Sequence, residues 1–565
     1  MLRRIPARRR LTVEQLETRW ALATLYVAPA GSDAGDGSST SPWQTLQHAA
    51  DEVVAGNRVV VRAGTYTGFD LRTDGTATSP ITFSAEAGVL IDERNAVTPD
   101  GINLEGADYV TIEGFTVNGM PRTGIRSVLN DHVTIRNNRT DLNGRWGIFT
   151  GFSDDLLIEN NVTTRSVAEH GIYVSNSGDR PVIRGNHSWG NRANGIHMNG
   201  DISQGGDGII SQAVVEANVI HDNGIGGGSG INADGVQNSV FRNNMIYDNH
   251  ASGISLYRID GGGGSSGNLV INNTIVQAAD GRWALNITDG STNNTVLNNV
   301  LYNRHSFRGS ITISDDSLPG LTSDYNVVMN RFTTDDANTI LSLAQWRALT
   351  GQDQHSIVAT PDQLFVSPTT GDYHLKADSP AIDAGTSSSA PPRDFEGTLR
   401  PSGAGFDIGA DEFFVTSNVP PTIGNLGGDV NWRRGAAPRV ISSTATIADP
   451  DSPDFRQGVL AVRLNGAEAG DRLTIRTTKN VSTSGNLVKV HGITIGTMSG
   501  GSGTEPLVIV WNASALQSRV QAVLRNITFH SVSLNPSTTA RLVSFTLSDG
   551  EGGVSATVSK KIRVV

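Results

Sequence analysis

The sequence predicts an all-β protein in which a solenoid of short parallel strands precedes a β-sandwich. Glycine, asparagine, aspartate, serine and threonine are abundant while lysine and glutamate are sparse, which favours turns and strands over helices. A short motif also recurs with a period near 24 residues, which indicates stacked structural repeats. Residues 428–565 instead alternate apolar and polar side chains over short runs, as the strands of a sandwich do.

The repeat is clearest in a Gly-Ile pair that opens a β run in each unit. Successive pairs are 23, 24, 24, 35 and 23 residues apart, and their glycines are Gly124, Gly147, Gly171, Gly195, Gly230 and Gly253. An asparagine follows the first short run of each unit, at Asn138, Asn161, Asn186, Asn218, Asn244, Asn273 and Asn299. A unit this short cannot bury a core alone, so we expect the units to stack as coils, with asparagine amides bonded between coils.

The opening of the chain resembles the start of known solenoid proteins. The coils and the segment "LYVAPAGSDAGDGSSTSPWQTLQHAADEVVAGNRVVVRAGTY" together resemble the right-handed parallel β-helix of the pectate-lyase-like superfamily. In this segment we expect Ser41 and Pro42 to start a helix whose apolar face, formed by Leu46, Ala49, Ala50 and Val53, plugs the open end of the solenoid. The resemblance implies a β-helix over residues 25–416, with a segment from about 317 to 416 closing its far end.

The two ends of the chain carry separate predictions. Residues 1–24 are predicted to be an export or targeting segment, because "LTVEQLETRWALA" resembles an N-terminal motif of large exported planctomycete proteins, with Thr18 in place of its proline. A basic leader of a cytosolic protein is the alternative. Residues 417–427 are predicted to be a linker. Residues 428–565 resemble a bacterial cadherin- or Ig-like module, whose acidic loops "ADPDSPDF" and "LSDGEGGVS" carry oxygen ligands of the kind that Ca²⁺ takes.

Charge and composition exclude several classes of function. A formal net charge of −11 argues against a nucleic-acid partner, which requires a basic face. The absence of cysteine excludes disulfides, thiolate metal sites and cysteine nucleophiles. No apolar run is long enough to cross a bilayer, so no membrane span is expected. With the export motif, these features predict a secreted or cell-surface protein.

Candidate functional residues come from the alternation of side chains along the third run of each coil. Outward positions there form two neighbouring columns, one with Tyr173, His197 and Asn232 and the other with Asn199, Asp234 and Tyr257. Coils stack about 4.8 Å apart and outward neighbours lie about 7 Å apart, so these side chains should form one patch. We expect His170 at its edge, Arg258 in the following turn, and Trp146 and Phe149 as sugar-stacking residues on earlier coils.

The patch suggests acid–base chemistry on a uronate. Tyr173 and His197 are predicted to be an acid–base pair, with histidine titrating near neutrality, and His170 and Arg258 complete the predicted catalytic set. Trp146, Phe149, Asn199, Asn232 and Tyr257 are predicted to bind the substrate. Asp201 and Asp207, from the insertion "DISQGGDGIISQ", and Asp234 are the predicted ligands of a Ca²⁺ cofactor.

These residues predict a polysaccharide lyase or a C5-epimerase acting on an acidic polysaccharide. "HGIYVS" followed one coil later by "NGIHMNGD" resembles mannuronan epimerases, but their Asp-Pro-His signature is absent. No lysine precedes Lys376, so lyases that use a lysine base are not matched. Two alternatives remain: a non-catalytic glycan-binding or adhesion protein, and a glycoside hydrolase, for which Asp201, Asp207 and Asp234 are the local carboxylates.

Overall fold

Three parallel sheets form the walls of the predicted solenoid. In the computed structural model, which describes residues 23–414, 418–452 and 454–565, each coil adds one strand to sheet 1, one to sheet 2 and then one to sheet 3. Within the described residues, sheets 1 and 2 have 12 strands each and sheet 3 has 11. The predicted solenoid is therefore confirmed. The predicted segment 1–24 lies outside the described residues except for its last two positions.

Most strands are three to six residues long, because the chain bends each time it passes from one of the three sheets to the next. Sheet 1 consists of Thr24–Val27, Arg58–Val61, Ile81–Ala85, Val110–Glu113, Thr134–Arg136, Leu157–Glu159, Val182–Arg184, Val214–Glu216, Val240–Arg242, Leu269–Ile271, Thr295–Leu297 and Thr322–Asp324. Sheet 2 consists of Gly64–Thr67, Val89–Glu93, Thr116–Asn118, Arg139–Asp141, Val162–Thr164, His187–Trp189, Val219–His221, Met245–Tyr247, Thr274–Gln277, Val300–Asn303, Val327–Val328 and Ile357–Val358. Sheet 3 consists of Phe69–Leu71, Ile102–Glu105, Thr123–Val128, Trp146–Gly151, Ile172–Ser175, Ile196–Asn199, Ser229–Asp234, Ser252–Tyr257, Leu285–Ile287, Ile311–Ile313 and Phe332–Thr333.

The isoleucines of the Gly-Ile pairs form one column of the core. Ile148, Ile172 and Ile196 are paired coil to coil and fully buried, and burying such a side chain contributes about 1.5–3 kcal/mol. The glycine is required because the next coil passes close by. A Cβ on Gly147 would lie 2.6 Å from the carbonyl oxygen of Gly171, and a Cβ on Gly171 would lie 2.2 Å from the Oγ of Ser188.

The predicted asparagine ladder is present between sheets 1 and 2. At Asn161, Oδ1 accepts hydrogen bonds from the main-chain N–H and the Nδ2 of Asn138 at 3.0 and 3.1 Å. Its Nδ2 donates to the carbonyl of Ile135 at 2.8 Å and to Oδ1 of Asn186 at 3.0 Å. Similar bonds continue to Asn326, so each amide satisfies buried polar groups on neighbouring coils.

The first coil is covered by a helix that starts later than predicted. It spans Leu46–Glu52 with Thr45 as N-cap, and Leu46, Ala49 and Ala50 face the core. Ser41 and Pro42 do not start it, because the Asp33 carboxylate holds the segment before the helix by accepting from the main-chain N–H groups of Gln44 and Thr45. The remaining helices are Leu343–Thr350, Pro361–Leu364 and Gln517–Leu524, with 3₁₀ turns at Ile202–Gln204 and Asp315–Ser317. In the part of the chain that the structure describes, no helix is long and apolar enough to cross a membrane.

The far end of the solenoid differs from the prediction for residues 317–416. Regular strands continue to Ile357–Val358, and helix Leu343–Thr350 covers the last coils with Trp346, which stacks on Phe332. The remainder packs along the outer face of sheet 2 rather than sealing the end. Its strands Phe365–Ser367 and Asp372–Leu375 form a hairpin that shares a second apolar cluster with outward side chains of sheet 2 such as Val276.

The second unit, residues 415–565, has a core of its own. Its 13 described strands form sheets of eight, three and two strands; they are Thr422–Gly424, Val430–Trp432, Arg439–Val440, Thr446–Ala448, Val459–Asn465, Asp471–Ile475, Val481–Ser484, Leu487–Val490, Ile493–Ser499, Leu507–Trp511, Ile527–Ser531, Arg541–Leu547 and Val558–Val564. The stretch predicted as a linker contains the first of these strands, because Thr422–Gly424 pairs with Thr446–Ala448.

Candidate active site

The outer face of sheet 3 carries the two predicted columns. Tyr173 pairs with His197, and His197 with Asn232 on the next coil. In the neighbouring column Asn199 pairs with Asp234, and Asp234 with Tyr257. The parallel register therefore brings these side chains together as the alternation predicts.

Tyr173 lies flat on the imidazole of His197. The two ring centroids are 4.8 Å apart and the planes differ by 8°. Asn199 Nδ2 donates a hydrogen bond of 3.3 Å to the Tyr173 hydroxyl. Burial is the main cause that raises the pKa of Tyr173, with the carboxylates of Asp201 and Glu169 adding to it. The side chain of Tyr173 is still partly exposed, as is that of Tyr257, so a ligand can reach both.

A chain of hydrogen bonds fixes the tautomer of His197. The main-chain N–H of Asn194 lies 3.3 Å from His170 Nδ1, and because an N–H can only donate, this Nδ1 is an acceptor. The proton of neutral His170 is then on Nε2, which lies 3.0 Å from His197 Nδ1 and donates to it. His197 in turn carries its own proton on Nε2, which is buried without a hydrogen-bond partner in the described residues.

Both histidines remain uncharged at neutral pH. Burial, together with Arg145, lowers the pKa of His170 to about 3. Burial and the neighbouring His170 hold the pKa of His197 well below its usual value. The expectation that His197 titrates near neutrality is therefore wrong, because the coil packing that places it beside Tyr173 also removes it from water. Because the proton of neutral His197 is on Nε2, that nitrogen is a hydrogen-bond donor and cannot act as a base.

The aromatic residues of the preceding coil support the patch from below. Trp146 stacks on Phe149 with ring centroids 4.6 Å apart, and the Arg145 guanidinium lies 4.4 Å from the Trp146 ring. The indole Nε1 donates to Glu169 Oε2 at 2.7 Å. Trp146 is only 9% exposed, so it has no free face for a sugar, contrary to the prediction. Phe149 is partly exposed, so its stacking on a sugar stays a prediction.

The other end of the patch opens into a cleft. Asn232 Nδ2 donates to the Tyr257 hydroxyl at 2.8 Å, and burial raises the pKa of Tyr257. Both residues line a cavity of about 750 Å³ on the same face of sheet 3, which we call the sheet-3 cleft. Its other lining side chains include Trp283, Phe307, Arg282 and Arg308. The cleft thus combines aromatic rings with cations, and it begins at Asn232, one coil beyond His197.

The two arginines of the cleft have no carboxylate partner among the described residues. Arg282 is exposed, and Arg308 donates to the carbonyl of Gly281 at 3.2 Å. The Gly-Ile pattern does not reveal Arg282 and Arg308, because their coil has Ala284-Leu285 at the position of that pair. The preceding Arg282-Trp283 repeats the Arg145-Trp146 of an earlier coil, and this repetition is the signal that could have found them.

In the described residues, the predicted calcium ligands Asp201, Asp207 and Asp234 do not form a group of three acidic side chains that could hold a metal ion. Both carboxylate oxygens of Asp234 accept from main-chain N–H groups of the turn 259–261. Asp201 accepts from the N–H and hydroxyl of Ser203, and Asp207 from the N–H of Ile209. Each carboxylate is thus used by a turn of its own, and no catalytic step is assigned to a metal here.

Arg258 is not tied to the patch. It is exposed in the turn after Tyr257, and its side chain makes no hydrogen bond or ion pair within the described residues. Asp260 brings a carboxylate to the patch instead, because its Oδ2 accepts from Asn199 Nδ2 at 3.3 Å. Asn199 is therefore oriented from both sides, by Asp260 and by the hydroxyl of Tyr173.

Two family models match parts of the solenoid. Residues 25–255 match "Pel9A-like, right handed beta helix region", and residues 199–334 match "Periplasmic copper-binding protein (NosD)". The first of these matches covers less than half of the chain, and it lies within the β-helix. The fold that the sequence resembles is thus confirmed for the β-helix.

Similar proteins share part of this β-helix. A pectate lyase, PEL9 of Emericella nidulans, is 29% identical over 178 residues, which are 30% of this chain and 40% of that protein. The uncharacterized protein YwoF of Bacillus subtilis is 38% identical over 88 residues, 15% of this chain and 18% of that protein. The chain thus covers less than half the length of either. The crystal structure of pectate lyase Pel9A is 18% identical with a TM-score of 0.48, covering 69% of this chain and 96% of that one.

Proposed function

We propose that this protein is a secreted or cell-surface polysaccharide lyase that cleaves an acidic polysaccharide by β-elimination on the outer face of sheet 3. The observation that supports it most is that the cleft, whose two arginines lack carboxylate partners in the described residues, begins at Asn232, one coil beyond the Tyr173–His197 stack. Uronate carboxylates are the complementary charge for Arg282 and Arg308, and sugar rings suit the aromatic side chains beside them. The lyase-named relatives are consistent with this choice.

Tyr173 is the group that moves the proton. As a phenolate it takes the proton from C5 of the uronate, the electron pair forms the C4–C5 double bond, and the C4–O bond to the leaving sugar breaks. The phenol then returns that proton to the leaving oxygen, which regenerates the phenolate. The amide of Asn199 holds the oxygen that carries the charge, and the flat stack on His197 fixes the ring.

The arrangement favours elimination over the other two reactions. An epimerase must return a proton to the opposite face of the sugar, whereas Tyr173, His197 and Asn199 all project from one sheet face. A hydrolase needs two carboxyl groups across the bond that is cleaved. Both oxygens of Asp234 already accept from the turn 259–261, and Asp201 and Asp207 each accept through Oδ1 from the turn that follows them. Elimination on one face requires only a single proton-transfer group.

The products from a panel of polyuronates test the proposal. The purified protein is incubated with pectate, alginate and other polyuronates, with and without Ca²⁺. We expect unsaturated sugar ends, followed by their ultraviolet absorbance. Altered uronate stereochemistry without cleavage would mean an epimerase, and new reducing ends without unsaturation a hydrolase. Binding without any product would establish a glycan-binding protein and overturn the lyase.

A matched pair of tyrosine variants tests the role of Tyr173. Tyr173→Phe keeps the ring stack and removes the hydroxyl, so kcat should fall at least about 100-fold while the protein stays folded. Tyr247 is the control, because it stacks on His221 at the same 4.8 Å, but on sheet 2. Because the pKa of Tyr173 is raised, wild-type activity should climb with pH through the alkaline range. Equal activities of Tyr173→Phe and Tyr247→Phe would refute this role.

A further inference from the structure

A cavity of about 540 Å³ in the second unit is lined by three cationic side chains. They are Arg439, Arg476 and Lys560, and no acidic residue is among the described residues that line it. Both arginines are exposed, whereas Lys560 is 8% exposed. The cavity therefore gathers one buried and two accessible positive charges, although the chain as a whole has a net charge of −11.

Lys560 is held by two hydrogen bonds that leave one of its donors free. Its Nζ donates to the carbonyl oxygens of Leu426 and Ile441 at 2.6 and 2.7 Å. An ammonium group has three N–H donors, so the third remains for a ligand. Burial lowers the pKa of Lys560, and the carboxylate of Asp429 opposes this shift. Asp429 forms its ion pair with Arg563, at 3.0 Å, and does not line the cavity.

The charges of the two arginines are not balanced by the protein. Within residues 418–452 and 454–565, the arginines that form ion pairs are Arg541 and Arg563. Arg476 donates through Nε and Nη2 to the amide oxygen of Asn526, at 3.2 and 2.9 Å, which leaves its charge in place. Like charges that share a cavity repel each other, and an anion bound between them removes this repulsion. The arrangement therefore predicts an anionic ligand.

Main-chain donors add to the positive side chains of the cavity. Gly427 and Gly428 are exposed and line it, and their N–H groups have no acceptor in the described part of the chain. Gly427 has a φ of 74°, and a Cβ on it would lie 3.7 Å from Lys560 Nζ, so the main chain passes close to the amine. Successive main-chain N–H groups form anion-binding concavities in many proteins.

We propose that this cavity binds a phosphate group between Arg439, Arg476 and Lys560. A phosphate monoester carries about −1.5 to −2 charges at pH 7, whereas a carboxylate carries a single charge. Three cations without an acidic neighbour favour the anion of higher charge. The terminal oxygens of phosphate match the forked donors of arginine and the point charge of lysine.

The size of the cavity indicates that the phosphate group belongs to a larger molecule. A volume of about 540 Å³ is that of a small-molecule site and exceeds what a lone ion fills. We therefore expect a monoester to bind more tightly than inorganic phosphate. The site lies within the second unit and is independent of the activity proposed for the β-helix.

Calorimetric titration of the full chain with glucose 6-phosphate tests the site. Glucose 6-phosphate should bind, and glucose, which lacks the phosphate, should not. Galacturonate should bind this site at least tenfold more weakly, because it carries less charge. The affinity for glucose 6-phosphate should fall as NaCl is added, since salt screens the cations. Tighter binding of the ester than of inorganic phosphate supports a monoester as ligand, and the reverse order supports the free ion.

Three variants and a matched control locate the bound phosphate. Arg439→Gln and Arg476→Gln each remove one exposed charge, so both should fold and lose at least tenfold in affinity for glucose 6-phosphate. Lys560→Met should lose more, provided that circular dichroism shows it to be folded. Arg463→Gln is the control and should bind as the wild type does, because Arg463 is exposed on strand Val459–Asn465 and does not line the cavity.

The results that contradict a phosphate site differ from those of the lyase assay. Unchanged affinity in both Arg439→Gln and Arg476→Gln, or no binding of either phosphate probe at millimolar concentration, would overturn the proposal. Galacturonate that binds this cavity as tightly as glucose 6-phosphate would also overturn it. Binding that is lost in Arg282→Gln but kept in the two variants would place the phosphate in the sheet-3 cleft and equally refute the site.

Discussion

His170 and His197 show how the burial of two side chains makes the β-helix sensitive to acid. Both are neutral when folded, and the pKa of His170 falls to about 3. In the unfolded chain a histidine titrates near 6.5. The unfolded state therefore binds more protons below that pH, so the folded state loses stability as the pH falls from about 6.5 toward 3.

Replacing His170 should flatten this pH dependence. In the wild type we expect the free energy of unfolding to fall by up to about 1.4 kcal/mol per pH unit for each of these histidines in that window. His170→Asn should remove its share of the slope, measured by urea unfolding at a series of pH values. His250→Gln is the control, because His250 is a partly exposed turn residue paired with Asp280. An unchanged slope in His170→Asn would contradict the linkage.

For single residues, the sequence predicts where a side chain lies better than it predicts the chemical role of that side chain. Alternation along the strand is enough to place Tyr173, His197 and Asn199 side by side, because strand geometry fixes which side chains point out. It does not show that the Asn194 main chain dictates the tautomer of His197, or that Asp234 is occupied by the turn 259–261. Those facts depend on loop conformations, which have no period.

The asparagine ladder is the element that ties the coils together outside the core. Each buried amide both accepts from one neighbouring coil and donates to the other, as Asn161 does between Asn138 and Asn186. Its removal leaves main-chain and side-chain groups on two coils without partners, and unsatisfied buried groups cost about 1–3 kcal/mol each.

Substitutions at two adjacent asparagines, Asn161 and Asn160, distinguish the contribution of the ladder to stability from that of the turn in which it lies. Asn161→Ala should lower the free energy of unfolding by about 2–4 kcal/mol, since the N–H of Asn138 and the carbonyl of Ile135 lose their amide partner. Asn160→Gly should change it little, because Asn160 is exposed with a φ of 55° that glycine adopts readily. Chemical denaturation measures both, and equal losses would argue against a special role for the ladder.

The elements that repeat were predictable and those that do not repeat were not. The Gly-Ile and asparagine periods are enough to define the coils, since every coil meets the same steric and hydrogen-bonding demands. The segment after Val358 has no period, and its packing against the outer face of sheet 2 depends on apolar side chains such as Tyr373 that meet outward residues there. Such a contact leaves no local sequence signal.

For the whole molecule, two separate cores imply two units that can unfold independently. One core runs through the β-helix and the other lies within residues 418–565. A ligand that binds only the folded form of one unit stabilises that unit, by about 2.7 kcal/mol at 100 times its dissociation constant.

Scanning calorimetry of the full chain should therefore show two transitions. A polyuronate at saturating concentration should raise the one that Asn161→Ala lowers, and leave the other in place. A single transition that the polyuronate shifts as a whole would contradict the independence of the two units.

The parallel register of sheet 3 fixes the distances between functional groups along the β-helix. Each coil contributes one residue to a given column, so the distance from Tyr173 to the arginines of the cleft is set by the number of coils between them, at about 4.8 Å per coil. Deleting or duplicating one whole coil between Tyr173 and these arginines would change the distance between them by one coil spacing. It would leave the side chains at both ends unchanged. Under the proposed activity, the length of substrate between these two features would therefore change in steps of one coil, separately from the chemistry at either end.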